Sequence, residues 1–118
     1  MKFRMSKRDI KLYIDDILES IGRIDWYVRN LSEDDFLNDI KTIDAVVRNL
    51  SVMGEAVNNI SDEIKIKYPD IPWNEIIGMR NKIVHEYFGV DADILWETVK
   101  KDLPAFKEQV LKLSKEIL

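Results

Sequence analysis

Residues 10–31 read IKLYIDDILESIGRIDWYVRNL, and the placing of the apolar side chains in this stretch decides the fold. Ile10, Ile14, Ile17, Ile21, Ile24, Val28 and Leu31 recur at alternating intervals of four and three residues, which puts them in one stripe along an α-helix. The same alternation returns at Ile43, Val46, Leu50, Met53, Val57 and Ile60. It returns again at Trp96, Val99, Leu103, Phe106, Val110, Leu113 and Ile117. Each stripe must be covered by another helix. Three such helices with a coiled-coil-like period pack most easily as an antiparallel bundle, and no strand-like alternation of useful length competes. The expected fold is therefore all-α, a bundle of four to five helices.

The residues between the stripes supply the stops and starts. Ser32 with Asp35 three residues later reads as a capping box opening the second helix. Ser61 can cap a short helix that stops at YPDIP (68–72), Pro72 suits a helix's first turn, Gly89 suits a helix end, and Asp91 can cap the last helix. Pro104 lies inside the third stripe and predicts a kink there rather than two separate helices.

Composition bounds the rest. With 118 residues, 46% hydrophobic and 34% charged, the chain is expected to form one domain, 1–118, with a real core. No apolar run approaches the ~18 residues of a membrane-spanning helix, and the charged N-terminus leads into no apolar leader. There are no cysteines, hence no disulfides and no thiolate zinc site. A cytoplasmic location is expected. The net charge of −4 argues against indiscriminate coating of nucleic acid. Five of the first eleven residues are nevertheless Lys or Arg, either as a solvated helix start or as help in holding a polyanion.

One helix is unlike the others. In PWNEIIGMRNKIVHEYF (72–88) the apolar face holds Ile76, Ile77, Ile83 and Val84, yet Arg80 falls in its middle and Tyr87 lies one heptad further along. An arginine there is costly unless paired or solvated. The opposite face carries Asn74, Gly78, Asn81 and His85, a polar stripe whose glycine would let another backbone come close. On the second helix Asp44, Arg48, Ser51, Glu55 and Asn58 form another polar stripe. Either it is solvated, or Asp44 or Glu55 pairs with Arg80 and fixes the guanidinium.

His85 is the chain's only histidine. An imidazole exchanges protons near neutral pH, and an arginine can clamp a phosphate and stabilise transition-state charge. RNA supplies its own nucleophile, the 2′-hydroxyl, so a base and a cation suffice to cleave it without metal. On a regular helix, however, Arg80 and His85 point about 140° apart. Either the helix is distorted, or the two groups meet across a cleft shared with a second chain, as a two-fold axis would allow. The competing reading of His85 is a surface or capping histidine, and that of Tyr87 a core tyrosine. A di-metal bundle site lacks its Glu-x-x-His. Neither a glycine-rich phosphate loop nor a Ser–His–carboxylate pattern is present.

RNKIVHEYF (80–88) fits the pattern R-x4-H-x-Y, and in this it resembles the HEPN superfamily, specifically the HepT-like toxin ribonucleases. The likeness extends to VRNLSVMGEAVNNI (47–60), WNEIIGMRNKIVHEYFGVD (73–91) and LWETVKKDLP (95–104), in the family's order. The resemblance implies an all-helical homodimer with a composite cleft at its two-fold interface. It implies a metal-independent RNA endonuclease, requiring no cofactor, whose active site is built from Arg80 and His85. Asn81 stands at the polar position often found after that arginine and would support it. The family's members are toxins of toxin–antitoxin pairs. The cognate nucleotidyltransferase antitoxin transfers AMP onto the motif tyrosine, which is Tyr87 here. The rival expectation is a non-catalytic bundle that only docks a nucleotidyltransferase, a role for which an intact Arg80–His85–Tyr87 set is unnecessary.

Overall fold

The stripe that begins at Ile10 folds as its period requires. In the computed structural model, which describes residues 5–85 and 91–118, α1 (Lys7–Val28) buries Ile10, Ile14, Ile17, Ile21, Ile24 and Val28. Each fully buried isoleucine contributes on the order of 1.5–3 kcal/mol from area removed from water. Ser6 caps the helix by accepting the Asp9 N–H at 3.1 Å. The helix ends before Leu31, the last member of the stripe, because the chain turns through Asn30 at φ 69°, a left-handed conformation that asparagine tolerates better than most residues.

The capping box at Ser32 forms, with both reciprocal bonds to Asp35 at 3.1 Å. It opens a five-residue helix, α2 (Glu33–Leu37), and not the long second helix. Phe36, fully buried, pins that single turn to the core. Asp39 then starts α3 (Ile40–Asn59), accepting the Thr42 N–H at 3.1 Å and the Thr42 hydroxyl at 2.6 Å. Val46, Leu50, Met53 and Val57 on α3 are completely buried.

Ser61 precedes α4 (Asp62–Lys67), although its side chain makes no capping bond. This helix stops at Tyr68, as the residue before Pro69 must leave the helical region. Pro72 lies just outside α5 (Trp73–His85) rather than in its first turn; its carbonyl accepts from the Ile76 N–H at 3.2 Å. Asp91 caps α6 (Ala92–Glu97) by accepting the Asp93 N–H at 3.0 Å. The helix end expected at Gly89, and Tyr87, lie outside the described residues.

Pro104 is accommodated by a local change of helix type. Between α6 and α7 (Leu103–Ile117) the chain widens into a π turn, Thr98–Asp102, where the Leu103 N–H reaches the Thr98 carbonyl. A proline has no N–H to donate and its ring presses on the carbonyl four residues back. The wider turn relieves that crowding while Val99, Leu103, Phe106, Val110 and Leu113 stay buried in one stripe.

The result is the all-α bundle expected, with no strand among the described residues. Helix α1 lies against α3 and α7, α2 covers α3 and α6, and α5 packs chiefly on the flank of α3. Among the described residues no helix is long and apolar enough to cross a membrane.

Candidate functional site

Helix α5 is fixed at its start by Trp73, which is buried and donates its indole N–H to the Tyr68 carbonyl at 3.0 Å. Ile76 and Ile83 are buried and hold the helix to α3. Arg80 lies on this same inward face, as the 100° periodicity requires, and only 24% of its side chain remains exposed. Val84, expected on the apolar face, is instead half-exposed at its edge.

The two helices meet at a glycine, and it is Gly54 of α3. A Cβ at this buried position would overlap the Cβ of Arg80 and stand 2.7 Å from its Cγ. These are the atoms nearest the backbone of α5, so no flexible side-chain end can yield. Gly78, read from the sequence as the close-approach glycine, has nothing within 4 Å of such a Cβ. Gly54→Ala is therefore expected to cost about 1–3 kcal/mol through overpacking. Gly22→Ala on α1, equally free of neighbours within 4 Å, should gain about 0.5–1 kcal/mol from helix propensity. Urea unfolding of both variants checks this, and a Gly54→Ala protein as stable as the parent would contradict the close approach.

With its backbone so placed, the Arg80 guanidinium forms an ion pair through Nη2 with Glu55 of α3 and donates from Nη1 to Asn81 Oδ1 at 2.6 Å. Of the two readings of the α3 polar stripe, pairing with Glu55 is the one observed. The Glu55 side chain is 50% exposed, so solvent screens the pair and its energetic worth is small. Its consequence is geometric: the guanidinium is presented at the rim of a groove instead of being buried under it.

That groove is a cleft of about 360 Å³ between α1, α3 and α5. Arg80 and Val84 of α5 and Glu55 of α3 line it, and so do Tyr13 and Asp16 of α1. Neither α1 residue was singled out from the sequence. Both flank the isoleucine stripe, and a polar residue beside a seam gives no sign of which helix will face it. A larger groove of about 710 Å³ beside α5 and α7 is lined by neither Arg80 nor His85.

His85 is the last residue of α5 and is exposed, as are Asn74, Gly78 and Asn81 on the same polar stripe. The structure thus brings together Arg80, Asn81 and Glu55, and it does not bring His85 to them within one chain. Among the described residues no group of three His, Cys, Asp or Glu side chains is arranged to hold a metal ion.

This helical bundle, with an arginine set at a cleft and a histidine five residues on, has known relatives. The model of the HepT-like ribonuclease family matches residues 17–113. A protein of Thermococcus cleftensis named "Probable ribonuclease HepT" is 47% identical over 109 residues, 92% of this chain and 99% of its own length. A Methanocaldococcus jannaschii protein named "Putative RNase" is 45% identical over 113 residues, 96% of this chain and 93% of its own. Another from that organism, named as a gamma-glutamylcyclotransferase and putative RNase, is 43% identical over 111 residues; the chain spans half of its length. No solved structure matches. The chain belongs to the HepT-like ribonuclease family.

Proposed function

We propose that this chain is a metal-independent RNA endonuclease acting as the toxin of a toxin–antitoxin pair, with Arg80 and His85 as its active site and Asn81 in support. The observation that carries the reading is Arg80: a cation held on an apolar helix face by Glu55 and Asn81 and delivered to a cleft. Its guanidinium retains donors for a scissile phosphate. In the proposed reaction the 2′-oxygen attacks phosphorus, the imidazole of His85 takes the 2′-hydroxyl proton, and the bond from phosphorus to the 5′-oxygen breaks. Water returns a proton to the departing 5′-oxygen. The chain's one histidine is the base, and it acts beside the Arg80 of another copy.

The separation of Arg80 from His85 around α5 also favours a homodimer. Val84 and Val52, half-exposed apolar residues at the cleft, offer surface for a second copy to cover. Light scattering is expected to give about 28 kDa, twice the 13.9 kDa of the chain. A value near 14 kDa across micromolar concentrations would remove the composite site. Lys7 and Arg8, exposed on the first turn of α1, lie about 9 Å and about 7.5 Å by helical rise from Tyr13, near enough to guide a polyanion toward the cleft.

In the toxin reading, a cognate nucleotidyltransferase restrains the enzyme by adding AMP to Tyr87. Expression should arrest growth, and co-expression of a cognate nucleotidyltransferase should relieve the arrest. Unimpaired growth on expression of the folded protein alone would count against the toxin assignment.

A further inference from the structure

The cleft beside Arg80 carries polar groups that the cleavage chemistry leaves unused. Tyr13, Asp16, Ser51 and Asn59 line it, and none of the four side chains forms a hydrogen bond or ion pair with another described residue. Ala56, buried, forms apolar floor. At about 360 Å³ the space lies at the small end of organic-ligand sites.

Charge decides what can enter. Arg80 draws a phosphate to the rim, but the carboxylates of Glu55 and Asp16 repel one placed deeper. The group that fits beyond the phosphate is neutral and flat, able to stack on an aromatic ring and to donate hydrogen bonds to a carboxylate. A nucleobase answers that description.

We propose that the cleft is a base-selective subsite for the nucleotide adjoining the scissile phosphate. Tyr13 stacks the base, and Asp16 accepts a hydrogen bond from its exocyclic amine. Adenine, cytosine and guanine carry such an amine, whereas uracil has none and presents its O4 carbonyl where cytosine carries its amine, an oxygen that a carboxylate repels. The subsite therefore disfavours uracil. This rests on the ribonuclease reading for its ligand class, and its test does not require cleavage.

Short homo-oligomers of deoxycytidine and deoxyuridine lack the 2′-hydroxyl, and their pyrimidine rings match in size. The full chain is expected to bind deoxycytidine about 10-fold more tightly, measured by fluorescence anisotropy. Asp16→Asn, a same-shape change at a half-buried position, should bring the two affinities to within about 2-fold, because an amide serves both bases. Tyr13→Ala should weaken both strands about 10-fold without altering their ratio, and Tyr13→Phe should recover most of that loss. Equal affinities in the parent protein, or a preference that survives in Asp16→Asn, would overturn the proposal. RNA cleavage is scored separately. A protein that discriminates these strands but never cuts RNA refutes the ribonuclease reading and not the subsite, and one that cuts RNA but binds both strands equally does the reverse.

Discussion

Alanine at position 80 or at position 85 is expected to lower the rate of RNA cleavage in excess EDTA by about a hundredfold or more. That is the scale for loss of a charge-stabilising donor or of a general base. The two variants should fail differently. Arg80 reaches into the cleft beside Glu55, so Arg80→Ala removes contact with the phosphate and should also weaken binding of an uncleavable strand. His85 is exposed and outside that cleft, so His85→Ala should bind such a strand nearly as the parent does while turning over far more slowly. Both should remain folded. His85 is exposed, and Arg80→Ala shortens a side chain over Gly54 without adding bulk to the helix crossing. Circular dichroism and thermal unfolding verify this before rates are compared. Cleavage that depended on magnesium, or His85→Ala with full activity, would defeat the mechanism.

The second large effect concerns control. Incubation with ATP, magnesium and a cognate nucleotidyltransferase is expected to add AMP to Tyr87 and to abolish cleavage. Tyr87 lies seven residues beyond Arg80. By the helical periodicity expected from the sequence, seven residues amount to about 10.5 Å of rise and return to nearly the same face. Each AMP phosphodiester adds about one negative charge and an adenosine. The charge competes with RNA for Arg80, and the bulk obstructs the strand. Tyr87→Phe should escape inactivation while keeping appreciable nuclease activity, since the phenol moves no proton in the proposed reaction. Mass spectrometry locates the modification. AMP on another residue alone, or modified Tyr87 with undiminished cleavage, would contradict this control.

The long helices were legible because their stripes repeat for several turns: Ile14, Ile17 and Ile24 had only one way to be buried together. Single-turn elements carry no period. Ser32 and Asp35 therefore announced a helix start correctly without revealing that the helix would last five residues. The π turn was hidden for a related reason. Pro104 signals that a regular α-turn cannot persist, but the path by which the chain yields is set by what α6 and α7 must bury.

At the candidate site, periodicity was enough to place Arg80 on the inward face and His85 on the outward one. For the polar stripe of α3 it left two readings, a solvated face or a partner for Arg80 in Asp44 or Glu55, between which only the crossing of α3 and α5 could decide. The two glycines show the limit most clearly. Gly54 and Gly78 look alike in sequence, and which one admits a neighbouring backbone depends on where two helices cross. Tyr13 and Asp16 reach the cleft from α1, more than sixty residues before Arg80, and no local pattern links them to it.

The central claim is that Arg80 of one protomer and His85 of another act on one phosphodiester. Its most direct test is to mix inactive Arg80→Ala and His85→Ala proteins under conditions that exchange protomers, then follow RNA cleavage in excess EDTA. A mixed dimer carries one intact Arg80–His85 pair, and half of a random mixture is mixed. Cleavage should therefore return to roughly a quarter of the parent rate. A mixture no more active than its two components, despite demonstrated exchange, would contradict it.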